Sequence, residues 1–320
     1  MSERDSLIAD VAADVLGGIT EQAPEGAVHP VWPTLVELGW PQVGVPEDAG
    51  GAGGSLGDLV ELISATAASG VSVPLVDAAL SHWLLGERCS GLVVAVESLR
   101  AVPWGRHADR VLLRPADGPA RFVDPAAAEV VPGLDLAGAP RDEIRPGPDA
   151  FSPAPEVAPH RAVRARAGVL NAAALLGAAR GAYELTRRHV TEREQFGRPL
   201  VAIKAVASGL AEMQVRLVAV AAVVDRAVAA HERGTAEEAF AATAAARISA
   251  AGAATDVAAA AHQLHGAMGV TREHPLHHRT RKLWAWRDDA GSEREWSLRL
   301  GREALAAGEI GVWERLTGPG

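Results

Sequence analysis

The chain has 320 residues, 48% of them hydrophobic and only 4% aromatic, and a formal net charge of −9. That length gives room for two or three domains and a sizeable core, while the acidic balance excludes a general nucleic-acid binder. A single cysteine, Cys89, excludes a disulfide framework and any cysteine-based zinc or iron–sulfur site. Alanine dominates, with 65 residues against four Phe and one Tyr. Because alanine is the best helix former, a mostly helical protein with closely packed helices is expected. No apolar run is read as long enough to span a membrane, and Met1–Asp5 does not start a signal peptide, so a cytoplasmic protein is expected.

Residues 1–90 read as an N-terminal helical domain. Ser6 to Leu16 is amphipathic, a short helix is predicted over Trp32 to Leu38 with Pro33 at its start, and two more over Leu56 to Ala68 and Leu75 to Leu85. The stretch Val45 to Gly54 is too glycine-rich for a regular element. Residues 91–158 change texture. Leu92 to Val96, Arg110 to Leu113 and Ala120 to Val123 are β-prone runs separated by Pro, Gly and Asp, and the proline-rich remainder is expected to be partly loop. A small, reduced middle β domain fits this segment.

From 159 to 320 the chain reads as a helical bundle. One helix is expected over Arg161 to Glu192. The next carries Ile203, Val206, Leu210, Met213, Leu217, Val220 and Val224 in steps of three and four, the seam of an antiparallel four-helix bundle, and ends at Gly234. A third starts at Thr235, with Glu238 placed for a capping box, and runs to about His265; a fourth covers about Gly291 to Ala307. The fold class is therefore mainly α with a small β domain.

Two stretches offer chemistry. In Thr191 to Leu200, Arg193 supplies a guanidinium suited to a pyrophosphate and Phe196 an aromatic face suited to an adenine, beside Gly197. The alternative is a helix cap with Phe196 folded into the core. In Gln263 to Pro275 a helix ends at Gly266 and Gly269, whose bare backbone N–H groups suit a phosphate or a ribityl chain; the alternative is a glycine cap and a connecting loop. His262, His265, His274, His277 and His278 are irregularly spaced and lack a cysteine or nearby carboxylate to complete a set, so no metal site is expected. Trp284, Trp286 and Trp296 are read as packing anchors and Cys89 as structural.

The two stretches, in this order and separated by the Ala-rich helices, resemble the C-terminal domain of the acyl-CoA dehydrogenase family. The first is similar to that family's Arg-x-x-Phe-Gly motif and the second to its Gln-x-x-Gly-Gly-x-Gly motif, with Ala267 in place of the second glycine. Leu38 to Trp40, Val45 to Glu47 and Gly50 to Gly53 likewise resemble its N-terminal helical domain. The resemblance covers 30–90 and 160–305. It implies an FAD shared across a subunit interface: Arg193 on the pyrophosphate, Phe196 near the adenine, Gln263, Gly266 and Gly269 giving backbone and amide contacts, and Gly291-Ser292 on the pair that follows the family's base.

The resemblance also exposes departures. The residue before Gly291 is Ala290, where the family carries its catalytic glutamate, and the position of the alternative base on the long helix falls at about Ala167. Neither can abstract a proton, so no catalytic residue is assigned; Asp289, or Asp288, is the candidate for a displaced base. The flavin-lining Thr-Glu…Gly-Ser-Asp and Trp-Ile-Thr stretches of the family are not visible between 91 and 158. The chain thus resembles the small, non-catalytic subunits of actinobacterial α2β2 acyl-CoA dehydrogenases acting on steroid side-chain CoA thioesters. The implied partners are a catalytic subunit, an acyl-CoA and an electron-transfer flavoprotein, with no nucleic acid and no membrane. A homomeric enzyme with a displaced base and a non-enzymatic assembly subunit are the alternatives.

Overall fold

The computed structural model describes residues 3–19, 22–115, 118–271 and 273–317; Met1, Ser2 and Arg272 of the stretches quoted above lie outside them. Two compact units divide between Val163 and Arg164.

The first unit begins with helices α1 (Glu3–Leu16), α2 (Trp32–Glu37), α3 (Leu56–Ser69) and α4 (Leu75–Leu85). Helix α3 starts at a capping box, with Ser55 Oγ accepting from the Asp58 N–H at 3.1 Å and the Asp58 carboxylate accepting from the Ser55 N–H at 2.7 Å. Ser55 and Asp58 thereby fix where the glycine-rich loop gives way to helix. Within that loop Gly51 has no room for a side chain: a Cβ there would meet the Val45 carbonyl oxygen at 2.2 Å.

Seven strands follow: β1 (Val93–Val96), β2 (Val102–Pro103), β3 (Arg110–Leu113), β4 (Arg121–Val123), β5 (Ala128–Val131), β6 (Arg141–Pro146) and β7 (Phe151–Pro153). They form a four-stranded sheet ordered β1-β3-β4-β7, whose β1 and β3 are parallel, and a three-stranded antiparallel sheet ordered β2-β6-β5. Val94, Val111, Val123, Val102, Trp104 and Ile144 fill one core with Ala78 of α4, so the strands and the preceding helices are packed together. The proline-rich segment is partly loop as expected, at 132–140 and 154–159, with β6 and β7 formed between those stretches. Asp142 is wholly buried in β6, and its carboxylate takes the Arg106 guanidinium at 2.5 Å and the N–H groups of Arg106 and Gly133 at 2.7 and 3.0 Å. A charged strand position is tolerable there because every lone pair is used.

The second unit is the bundle. Helix α5 (His160–Glu192) runs into it, followed by a two-stranded ribbon of β8 (Glu194–Gln195) and β9 (Arg198–Pro199). Then come α6 (Lys204–Arg233), α7 (Ala236–His265), α8 (Leu276–Trp286) and α9 (Glu293–Thr317), the last interrupted at Gly308. Helices α6 and α7 are antiparallel, as the Arg216–Asp256 ion pair at 3.0 Å and the His231–Thr243 hydrogen bond at 3.0 Å require. Met213, Leu217, Val220 and Val224 of the expected seam are buried, whereas Ile203, Val206 and Leu210 at its start are partly exposed. The Thr235–Glu238 capping box is present. Gly234 stops α6 with extended rather than left-handed backbone; a Cβ there would meet the Ala230 carbonyl oxygen at 2.8 Å.

Two expectations change here. By length and composition α6 is apolar enough to cross a membrane, contrary to the reading that no such run exists, because its Ala and Val content is high along most of its length. Helix α8 is an additional element.

Candidate functional site

The site begins where α5 runs out. The Arg193 N–H still donates to the His189 carbonyl at 2.9 Å, and the Leu200 N–H donates to the Arg193 carbonyl at 2.8 Å, closing the β8–β9 ribbon onto the helix end. Glu194 pairs with Pro199 and Gln195 with Arg198, leaving Phe196 and Gly197 as a two-residue turn with φ of 55° and 76°. Positive φ at both positions is what a tight hairpin of this twist demands. Gly197 adopts it freely, while Phe196 carries a cost of about 1–2 kcal/mol. The turn drives the Phe196 ring outward, 87% exposed, which overturns the alternative that placed it in the core. Beside it the Arg193 side chain is exposed, with no ion pair among the described residues.

The second stretch ends α7. Gln263 is exposed on the last turn. Gly266 sits at φ 60°, ψ −144°, a region open essentially to glycine alone, and a Cβ built there would find no atom within 4 Å. The backbone is therefore uncovered at that point. Gly269 is glycine for another reason: it is buried, and a Cβ would meet His265 Cβ at 2.7 Å and Leu276 Cδ2 at 3.2 Å. Ala267 lies exposed in the 3-10 turn Gly266–Val270 and does not need positive φ, which explains why alanine is accepted there.

His265 and His274, weighed in the sequence only as metal ligands, are joined by His189, which the sequence reading missed, in a cluster that links these two ends. His189, one turn before Arg193, stacks on His265 at 4.5 Å between ring centroids, and His274 meets His265 edge-on at 4.6 Å. The rings thus hold the Arg193 ribbon and the Gly266 turn at one end of the bundle. They can pack this closely because they are uncharged: burial first, then the neighbouring histidines, push His265 down to about 4. Its Nδ1–H donates to the Ala261 carbonyl at 2.8 Å. The signal in the sequence was the spacing, His189 four residues before Arg193 and His265 two after Gln263. His262 bonds Thr280 Oγ1 at 2.9 Å, and His277 and His278 pack on each other at 3.9 Å. Among the described residues no group of three or more His, Cys, Asp or Glu is arranged to hold a metal ion.

The loop between α8 and α9 is organised by Arg247, fully buried in α7 and also unforeseen. It is the only charged residue between Glu238 and Asp256, and that isolation in an apolar helix was the available signal. Its guanidinium donates to Asn171 Oδ1 and to the carbonyls of Arg287, Asp289 and Gly291, the last three at 2.9, 2.7 and 3.0 Å. Burial lowers its pKa to about 10, so it remains a cation. Ala290, between two of those carbonyls, has φ 55°, and its own carbonyl accepts from Trp296 Nε1–H at 3.0 Å. Ser292 caps α9: its Oγ accepts from the Glu295 N–H at 3.3 Å while Glu295 accepts from the Ser292 N–H at 2.9 Å. Gly291 sits at φ 102°. Asp288 is exposed against Arg287 at 3.2 Å, and Asp289 is partly exposed. Ala167 lies on α5, partly buried. Of the tryptophans, Trp296 is 1% exposed and anchors Phe240, whereas Trp284 is 38% exposed under Arg287, which corrects its reading as a packing anchor.

Residues 163–291 match the C-terminal domain of acyl-CoA dehydrogenases, a span that contains both stretches and ends inside the Arg247-held loop. Residues 163–291 thus form an acyl-CoA dehydrogenase C-terminal domain. The chain is 30% identical over 194 residues to acyl-CoA dehydrogenase IpdE2 of Mycobacterium tuberculosis, a match covering 61% of this chain and 53% of that protein. The match therefore spans about half the length of that relative. The acyl-CoA dehydrogenase fold extends through both units. A variant of the Tcur3481–Tcur3483 steroid ACAD is similar with a TM-score of 0.84 and 22% identity, over 96% of this chain and 99% of that one. The ChsE4–ChsE5 complex from Mycobacterium tuberculosis is similar with a TM-score of 0.84 and 18% identity, over 96% and 98%.

Proposed function

We propose that this chain is one subunit of a heteromeric, FAD-dependent acyl-CoA dehydrogenase, and that it completes the FAD site of a catalytic partner instead of carrying its own base. The observation that supports this most directly is the end of the bundle. Arg193, with no ion pair among the described residues, a Phe196 ring 87% exposed and the uncovered Gly266 backbone all lie at the end of the bundle that the His189–His265 contact holds together. These groups suit FAD: a guanidinium for the pyrophosphate, an aromatic face for the adenine, and a glycine turn that leaves room for the close approach of a phosphate or ribityl chain. Gln263 adds an amide beside them. Gly269, buried under His265, shapes the turn, and Ser292, after Gly291, caps α9.

When bound, FAD supplies a two-electron acceptor for the hydride leaving the β-carbon of an acyl-CoA. This chain's residues bind and orient that group; none of them holds a proton at the reacting carbon. Ala290 stands where the family places its glutamate, and a methyl group has no lone pair to offer. The partner supplies the base and most of the acyl pocket. The steroid ACAD and the ChsE4–ChsE5 complex, similar in fold, support a steroid substrate and a heteromeric assembly; a side-chain CoA thioester, a two-plus-two stoichiometry and an electron-transfer flavoprotein as acceptor complete the proposal. The reading places the assembly in the cytoplasm.

The test is co-expression with a candidate catalytic acyl-CoA dehydrogenase subunit. The complex should purify yellow, and Arg193→Ala should lower its flavin occupancy. Flavin occupancy unchanged by that substitution, or a chain that purifies yellow alone and desaturates an acyl-CoA, overturns the proposal. A homomeric enzyme using Asp289 is the second reading, favoured by the position of that carboxylate next to Ala290; it requires Asp289→Asn to abolish turnover in the chain on its own.

A further inference from the structure

A cavity of 680 Å³ opens within the first unit and is lined by residues of that unit only. Trp32 and Val36 of α2 form an apolar wall, with Leu92 from the approach to β1 also lining it. The size lies within the usual range of small-molecule sites, about 300–1,000 Å³. Its lining also contains two polar side chains that are almost entirely buried, Gln42 at 5% and His82 at 4% exposure.

Neither is satisfied by the protein. The Gln42 main-chain N–H donates to the Gly39 carbonyl at 3.0 Å, but its side-chain amide has no partner among the described residues. The amide is not among the fully buried side-chain atoms without a partner, so it remains open to a group that enters the cavity. For His82, the Cys89 N–H donates to Nδ1 at 2.9 Å. The Glu87 carbonyl lies 3.4 Å from the same nitrogen and is the weaker contact, so Nδ1 is the acceptor and the ring proton sits on Nε2. That Nε2–H has no acceptor among the described residues. Burial, with a contribution from Arg88, keeps the ring neutral.

The rest of the lining argues against a charged occupant. Burial pushes the Cys89 thiol up to about 11, so it lines the cavity as an uncharged, inert group. Arg88 and Asp109 line the same cavity with opposite signs, and the Asp109 carboxylate already accepts the Leu92 N–H at 2.6 Å. An apolar wall, two neutral donors and no net charge select for a neutral molecule with a hydrogen-bond acceptor at one end. We propose that this cavity binds a neutral, mainly apolar small molecule through a carbonyl oxygen that accepts from His82 Nε2–H and from the Gln42 amide.

Saturation-transfer NMR on the full chain tests this with two probes, 4-phenylcyclohexanone and cyclohexylbenzene, which differ only in the carbonyl. The ketone should bind saturably and about tenfold more tightly than the hydrocarbon. Gln42→Leu, which removes the amide at similar volume, should weaken the ketone about three- to tenfold and leave the hydrocarbon unchanged. Val36→Trp should fill the cavity and abolish both. No saturable binding of the ketone by the native chain, equal affinity for the two probes, or ketone affinity unchanged in folded Gln42→Leu each overturns the proposal. The assay needs neither FAD, an acyl-CoA nor a partner subunit, so its failure and the failure of the subunit reading are separate events.

Discussion

Arg247→Met removes a cation from a helix interior and should nevertheless destabilise the second unit severely. Methionine has similar reach and is apolar, so packing volume is largely kept, but four acceptors lose their donor: Asn171 Oδ1 and the carbonyls of Arg287, Asp289 and Gly291. Hydrogen bonds from a charged donor are worth about 1.5–3 kcal/mol each. Relief of the guanidinium's burial offsets part of this, leaving a net loss of about 4 kcal/mol. With a urea dependence of about 2 kcal/mol per molar, the unfolding midpoint should fall by about 2 M. Far-UV circular dichroism in urea reads that shift. Hydrogen exchange should localise the damage, with the amides of 288–292 losing protection first and Trp296 losing its acceptor at Ala290. Arg247→Lys should recover only part of the loss, because an ammonium cannot reach all four oxygens. A midpoint within about 0.5 M of the native value, with 288–292 still protected, would show that the loop does not depend on Arg247.

Gly266→Ala should cost about 1–3 kcal/mol in thermal melts although its Cβ touches nothing, since the penalty is purely torsional; an unchanged melting temperature refutes the assigned conformation. Cys89 should stay unreactive toward a disulfide reagent at pH 8 in the folded chain and react fully once unfolded, because the thiol is buried and held protonated to about 11; rapid labelling of the native chain would contradict this. Stability should be constant above about pH 6.5 and decline as pH falls from there through about 4. His231, His265 and His278 are each lowered from 6.5 to about 4, so the unfolded chain binds more protons across that window. Melting temperatures measured from pH 8 to 4 check this, and a flat profile below 6.5 refutes it.

What the sequence discloses follows locality. Helix α4 and the Thr235 start of α7 are governed by residues within one or two turns, and their bounds coincide with the pattern. Strand β6 is not readable that way: Arg141-Asp142-Glu143-Ile144-Arg145 is strand because Arg106, 36 residues earlier, neutralises buried Asp142. Helix α8 hides for a related reason, since only Leu276, Thr280, Lys282 and Leu283 are buried and its His, Arg and Trp residues obscure the period. At the candidate site the residue types of Arg193, Phe196, Gln263 and Gly266 are legible, being a short motif each. Their juxtaposition is not, because it depends on His189 reaching His265 across 76 residues of chain.

Arg247 and Trp296 grip the loop around Ala290 solely by its carbonyl oxygens. Such a grip is indifferent to what the side chain at 290 is. Beyond the strain that a φ of 55° puts on any side chain there, β-branched ones most, that grip adds little constraint on position 290: its chemistry can be lost or regained by a single codon change while the loop keeps its shape. A lineage that pairs with a competent partner can let residue 290 drift without passing through an unfolded ancestor.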